Sequence, residues 1–188
     1  MKTEQRRTLS TAEERRGTVL RTAIGAFAAR GYFGTTTAEV GKAAGISQAY
    51  VFRLFPNKES LFAAVVEHCF ARIRESLERG AAGAESSSAE VVLAAMGDEY
   101  ARLISDNDLL MVQIHAQAAA ASEVVIRDVV RTGYARLVEY VRGASGGTDA
   151  QVQEFFARGA LCHLVSAIGA HEADGPWART LTTGIRHH

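Results

Sequence analysis

Residues 36–55 spell out two short helices in close succession, and this constrains the fold more than any other feature of the chain. Thr36-Thr37-Ala38-Glu39 has the spacing of a capping box, in which the Thr hydroxyl accepts a backbone amide and the Glu reaches back to the cap. The helix it opens runs through Ala44 and ends at Gly45. Ser47 then caps a second helix from Gln48 to about Phe55, and Pro56, which has no N–H to donate, helps end it. Gly45 permits the sharp turn. Ala44 lets the backbones approach at the crossing, and Val40, Ile46, Val51 and Phe55 are placed to pack the two helices together and onto a preceding one. This is a helix-turn-helix pattern. It leaves Gln48, Ala49, Tyr50 and Phe52 or Arg53 facing outward. An αα-hairpin in a plain helical bundle would give the same two-helix pattern.

The rest of the chain also reads as helix. Only 2 of 188 residues are Pro, Ala is abundant, and 47% hydrophobic content is enough for a real core. Thr11-Ala12-Glu13-Glu14 is an earlier capping box, predicting a first helix from about Thr11 with an apolar stripe of Leu20, Ile24 and Phe27, joined by Ala23 and Ala28. Gly31 stops it by taking a left-handed conformation. Asn57 caps a long helix from Lys58 to about Arg79. Gly80 to Ser88 is small and polar and reads as a linker. Helical periodicity then covers roughly 89–105, 108–121, 123–142 and 149–171, with Thr148 capping the last, and a short final helix is expected near Trp177.

Charge divides the chain. Residues 1–58 hold ten Lys or Arg and four Asp or Glu, whereas the remainder holds eleven and seventeen, so a net charge of zero hides a basic head on an acidic body. A basic head suggests a polyanion partner; alternatively, Arg15, Arg16 and Arg21 merely solvate a helix face. Gln48 can pair bidentately with adenine, and Tyr50 can meet a phosphate, a base edge or a thymine methyl. The helix starts at Thr37 and Ser47 would turn free amides toward phosphates.

Residues 31–62, GYFGTTTAEVGKAAGISQAYVFRLFPNKESLF, resemble the DNA-binding segment of the TetR family. The likeness lies in the Gly-Tyr, the paired Thr, Ala-Gly-apolar-Ser, an aromatic residue, and Phe-x-x-Lys-Glu before a long helix. Phe27-Ala28-Ala29-Arg30 just ahead also fits. The resemblance implies an all-α fold: a three-helix helix-turn-helix domain over 1–58, a linking helix over 58–79, and a helical effector-binding and dimerisation domain over 59–188. It implies base reading by Gln48, Ala49 and Tyr50, and phosphate anchoring by Thr36, Thr37, Ser47 and Lys58, with Arg53 also on the DNA face. Phe52 stands where the family usually carries Tyr, which removes a hydroxyl contact that Tyr50 can take over. Arg6 and Arg7 would form an arm reaching the DNA or a plain tail. The implied protein is a cytoplasmic homodimeric repressor on palindromic double-stranded DNA, released by a small, largely apolar effector. Its dimer would form through the last helices, around Thr148–Ala170 and Trp177–Ile185.

For an effector pocket the candidates are Met96, Tyr100, Leu103, Met111, His115, Phe156, Cys162 and His163, because Met and aromatic side chains line adaptably and a few polar groups orient. Gln113, His115 and Gln117 alternate along one helix, so they cannot all face one way. Phe155, Leu161, Leu164, Val165 and Ile168 form an apolar stripe that serves core, interface or both. The sequence offers no chemistry of an enzyme. It has no phosphate-binding Gly loop, no Cys-x-x-Cys and no His-Glu-x-x-His. Cys162 and His163 point about 100° apart on a helix, and His163 and His171 are two turns apart, so neither a nucleophile pair nor a metal site is expected, and no cofactor. Cys69 and Cys162 read as buried structural thiols. No signal peptide and no membrane span are expected, and His187 and His188 look like a tag remnant. The alternative to a regulator is an all-helical small-molecule binding module without DNA activity.

Overall fold

A computed structural model describes residues 2–185, with side chains over 14–185. The described residues are helical with no strand. The helices are α1 (Lys2–Gly34), α2 (Thr37–Ala43), α3 (Gln48–Leu54), α4 (Lys58–Ala82), α5 (Ala89–Ile104), α6 (Asn107–Ala120), α7 (Val124–Ser145), α8 (Asp149–Ala167) and α9 (Pro176–Thr182), with a 3-10 turn at Ala170–Glu172. The described residues include no helix long and apolar enough to cross a membrane.

Three boundaries differ from expectation. α1 is already helical at Lys2, so Thr11 lies inside it and is not its cap. No Gly or Pro interrupts residues 2–16, and nothing else in that stretch stops a helix. The side chains of Arg6 and Arg7 lie outside the described residues. The expected linker at Gly80 begins three residues late, because α4 continues to Ala82. Gly80 is buried where α4 meets α5: a Cβ there would lie 2.6 Å from Met96 Cα. It is a crossing residue, chosen for close approach. At the far end, α8 stops at Ala167, before left-handed Gly169 (φ 61°).

One continuous core joins the first helices to the rest. Val19, Ala23, Phe27 and Ala28 are its α1 members, while Leu20 and Ile24 sit half-buried on its flank. The expected stripe is therefore buried at Ala23, Phe27 and Ala28, with Val19 added and Leu20 and Ile24 at its edge. α1 packs along α6, and α4 packs along α5 and α7. α6 is thus covered on two sides, which fits its being apolar nearly all round. Phe27 and Phe62 meet with ring centroids 4.7 Å apart, fixing α1 against α4.

Candidate nucleic-acid interface and effector core

The turn between α2 and α3 is built from local hydrogen bonds. Thr36 Oγ1 accepts from the Glu39 amide at 3.2 Å, and Glu39 Oε2 accepts from the Thr36 amide at 2.9 Å. Those bonds to Thr36, with Arg30 beside the carboxylate, hold Glu39 below the usual carboxylate range. Ser47 Oγ accepts from the Tyr50 amide at 3.2 Å and caps α3. Gly45 takes φ 67°, as the turn requires. The close approach falls on Gly41 instead of Ala44: a Cβ on buried Gly41 would lie 3.0 Å from the Ile46 carbonyl oxygen. Val40, Val51 and Phe55 are fully buried, and Ile46 packs on the same core half-exposed.

On the outer surface, Thr36, Ser47, Gln48, Ala49, Phe52 and Arg53 are exposed, while Tyr50 and Lys58 are partly covered. Thr37 is buried, and its hydroxyl accepts from Gln48 Nε2 at 2.9 Å. That bond holds the Gln48 amide in one orientation before any partner arrives. Lys58 Nζ donates to the Tyr32 carbonyl at 2.9 Å and stands 4.5 Å from the Tyr32 ring centroid. It therefore ties the start of α4 to the end of α1.

Two arginines of α1 gain roles that the charge pattern alone did not assign. Arg16 donates to the Leu54 carbonyl at 2.9 Å and lies over the Phe55 ring, satisfying the C-terminus of α3. Arg15 donates to the Tyr50 hydroxyl at 3.2 Å. Thr35, also unassigned in sequence, is buried and donates to the Ala26 carbonyl at 3.0 Å. Contacts at separations of 35 and 38 residues leave no trace in local periodicity.

Among the effector candidates, the structure brings Tyr100 of α5 and His163 of α8 together and adds three residues. The Tyr100 hydroxyl donates to Gln113 Oε1 at 3.1 Å and lies 3.0 Å from His163 Nε2. Gln117 Nε2 donates to the Tyr134 hydroxyl at 2.8 Å and lies 3.1 Å from His163 Nδ1. Since the Gln117 amide can only donate there, Nδ1 accepts and Nε2 carries the proton. Burial keeps the His163 imidazole below its ordinary pKa and pushes the Tyr100 hydroxyl well up. In the sequence Gln113 and Gln117 stand out only as polar residues alternating with His115 on one helix, and Tyr134 carries no signal of its own. Tyr134 stacks edge-on with Phe70 and Phe156. Cys162 is half-buried beside this network. Met96 and Leu103 are buried core, and Met111 packs half-buried against it.

His115 goes elsewhere. It leaves α6 on the opposite face, where Nε2 donates to the Ala28 carbonyl at 3.2 Å and the ring covers Gly31. Next to the network, a void of about 10 Å³ lies between Phe70, Gln113, Gln117 and Tyr134. That is room for about one water, whereas small-molecule pockets run to several hundred Å³.

The sequence model for "Bacterial regulatory proteins, tetR family" matches residues 19–65, which span the half of α1 nearest the turn, α2, α3 and the start of α4. Those residues are similar to the DNA-binding segment of the TetR family. Several solved structures share its fold. A TetR-family regulator from Agrobacterium tumefaciens aligns with TM-score 0.69 at 17% identity, over 92% of this chain and 94% of its own. The regulator FadR from Bacillus subtilis, solved with stearoyl-CoA, aligns with TM-score 0.67 at 19% identity, over 90% and 98%. A TetR-like regulator from Rhodococcus sp. RHA1 gives 0.63 at 19%, over 92% and 86%. No curated protein matches the chain. Over residues 19–65 the chain carries a helix-turn-helix of the TetR type, and the helices beyond residue 65 share the fold of these structures without close sequence likeness.

Proposed function

We propose that this chain is a cytoplasmic homodimeric repressor that binds a palindromic operator through α3 and releases it when a small, largely apolar effector enters the body. Residues 1–58 act as the DNA-binding unit and 59–188 as the effector and dimer unit. The observation that carries the reading is the outer face of α3. It exposes Gln48, Ala49, Phe52 and Arg53, while Val51 and Phe55 anchor the helix beneath. In helix-turn-helix proteins such a helix enters the major groove, and Gln48 suits adenine.

The dimer surface is the outer face of α8 and α9. Leu164, Ile168 and Trp177 are about half exposed, whereas Val165 and His163 face inward. This divides the apolar stripe into interface and core. A two-fold axis there would place two α3 helices about one DNA turn apart, roughly 34–36 Å.

α6 supports a route for release. One face carries Gln113 and Gln117 to the polar network, and the other carries His115 to the end of α1. An effector that opens the network between α6, α7 and α8 displaces α6 and the neighbouring α4, and so the spacing of the heads. It must bind the released state better than the DNA-fitting state. The stearoyl-CoA complex of FadR supports a small molecule as the signal.

Selection of bound duplexes from a random pool tests the reading. The expected product is a palindromic consensus, and Gln48→Ala should relax one position in each half-site while leaving non-specific binding intact. A pool that shows no enrichment would refute the regulator reading and favour a helical binding module without DNA activity.

A further inference from the structure

Two guanidinium groups converge on one phenol at the edge of α3. Arg15 of α1 donates to the Tyr50 hydroxyl at 3.2 Å, and its guanidinium carbon lies 5.7 Å from the ring centroid. Arg53, one turn on from Tyr50 along α3, lies 5.6 Å from the same centroid. Neither arginine has a carboxylate partner among the described residues, whereas Arg30 is paired with Glu39. Arg16, next to Arg15, is committed to the Leu54 carbonyl and the Phe55 ring. An open groove of about 450 Å³ lies between α1 and α3 beside Arg15, with Thr18, Ser47 and Tyr50 supplying its other polar groups and no acidic side chain lining it.

We propose that Arg15, Arg53 and Tyr50 form one clamp for a DNA phosphodiester at the mouth of this groove, and that Tyr50 anchors the backbone instead of reading a base. The inference rests on the DNA-binding reading above and adds α1 to the interface. The chemistry is direct. The Tyr50 oxygen already accepts from Arg15, so its own proton is available to an incoming acceptor. A phosphate oxygen is such an acceptor, and two guanidinium groups beside it supply charge-assisted hydrogen bonds. Two unneutralised cations close to one hydroxyl repel each other, and an anion between them removes that cost. Base reading then falls to Gln48, Ala49 and Phe52, where the exposed Phe52 ring (42%) suits a thymine methyl.

A phosphate contact ignores sequence, so the test needs no operator. Full-length protein is titrated by fluorescence anisotropy against two unrelated 30-base-pair duplexes across a salt series. Arg15→Gln and Arg53→Gln should each lower the slope of log K against log salt by about 0.9 per bound protomer. Arg15→Lys should keep the slope. Tyr50→Phe should keep it too, and weaken both duplexes by the same several-fold factor. Thermal melts of the free variants separate a lost contact from a lost fold, since a merely structural Arg15 would change the melt and leave the slope alone. An unchanged slope for Arg15→Gln overturns the clamp, as does a Tyr50→Phe effect confined to one duplex. Wild-type protein that binds neither duplex overturns the DNA-binding reading itself, a result distinct from failure of the clamp.

Discussion

Gly31 gives the sharpest structural prediction, because two separate costs meet at one position. Its backbone has φ 68° and ψ −178°, a region open essentially to glycine. An added Cβ would stand 2.8 Å from His115 Nδ1 and 3.2 Å from two ring carbons. The backbone cost of Gly31→Ala is about 1–3 kcal/mol. Moving the imidazole loosens its bond to the Ala28 carbonyl, worth about 0.5–1.5 kcal/mol. The more restricted unfolded chain offsets about 0.4–1 kcal/mol. The net is a loss of about 2 kcal/mol, which for a chain of this size lowers Tm by about 4–8 °C. Gly45 is the control: it also has positive φ, yet a Cβ there meets nothing within 4 Å. Gly45→Ala should therefore cost about 1 kcal/mol, the left-handed backbone cost less the same offset. Urea unfolding followed by far-UV circular dichroism measures both. Adding His115→Ala should recover the steric part of the Gly31→Ala loss. Equal losses at the two glycines, or strict additivity with His115→Ala, would refute the contact between α1 and α6.

Other perturbations follow from the same packing. Gly80→Ala gains about 1 kcal/mol of helix propensity, but its Cβ would press on backbone atoms of Ala95 and Met96 at 2.6–2.8 Å, which no rotamer can relieve. A net loss of about 1–2 kcal/mol is expected from overpacking, read from the urea midpoint. Acid should destabilise the protein through His163, whose folded pKa is lowered by burial. The unfolded chain then binds more protons, so stability is complete above an ordinary imidazole pKa of about 6.5 and falls with pH down to the lowered folded value, by at most about 1.4 kcal/mol per unit. His68 is shifted the same way by burial and by Arg72. His163→Gln should remove part of that pH slope and leave the His68 part; an unchanged profile contradicts the assigned network. Leu164→Glu with Ile168→Glu should give monomers by sedimentation with little change in the helical signal. A persistent dimer would place the interface elsewhere.

How much of this was legible beforehand depended on range. Caps are local, so Thr36, Ser47, Asn57 and Thr148 stand at the starts of helices where their hydroxyl or amide groups put them. Gly45 and Gly31 likewise carry the positive φ that their positions demand. Gly80 misled because a glycine in a small, polar stretch reads as a linker, whereas its reason is a neighbour sixteen residues away in sequence, Met96. Thr11 misled because a capping box at the wrong place is simply helix when nothing upstream breaks it. In the body, Tyr100 and His163 were visible as polar groups on apolar helices, but His115 looked the same and faces the first helix instead. Periodicity places a side chain on a face; it does not say what that face meets.

The central claim is that α3 reads a specific duplex. The most direct test is anisotropy titration of the full-length protein on the selected duplex and on its scrambled version, each at two salt concentrations. The account predicts binding of two protomers per selected duplex, at least a thousandfold tighter than on the scrambled one. Both affinities should weaken steeply as salt rises. Equal affinity for the two duplexes at both salts would contradict it.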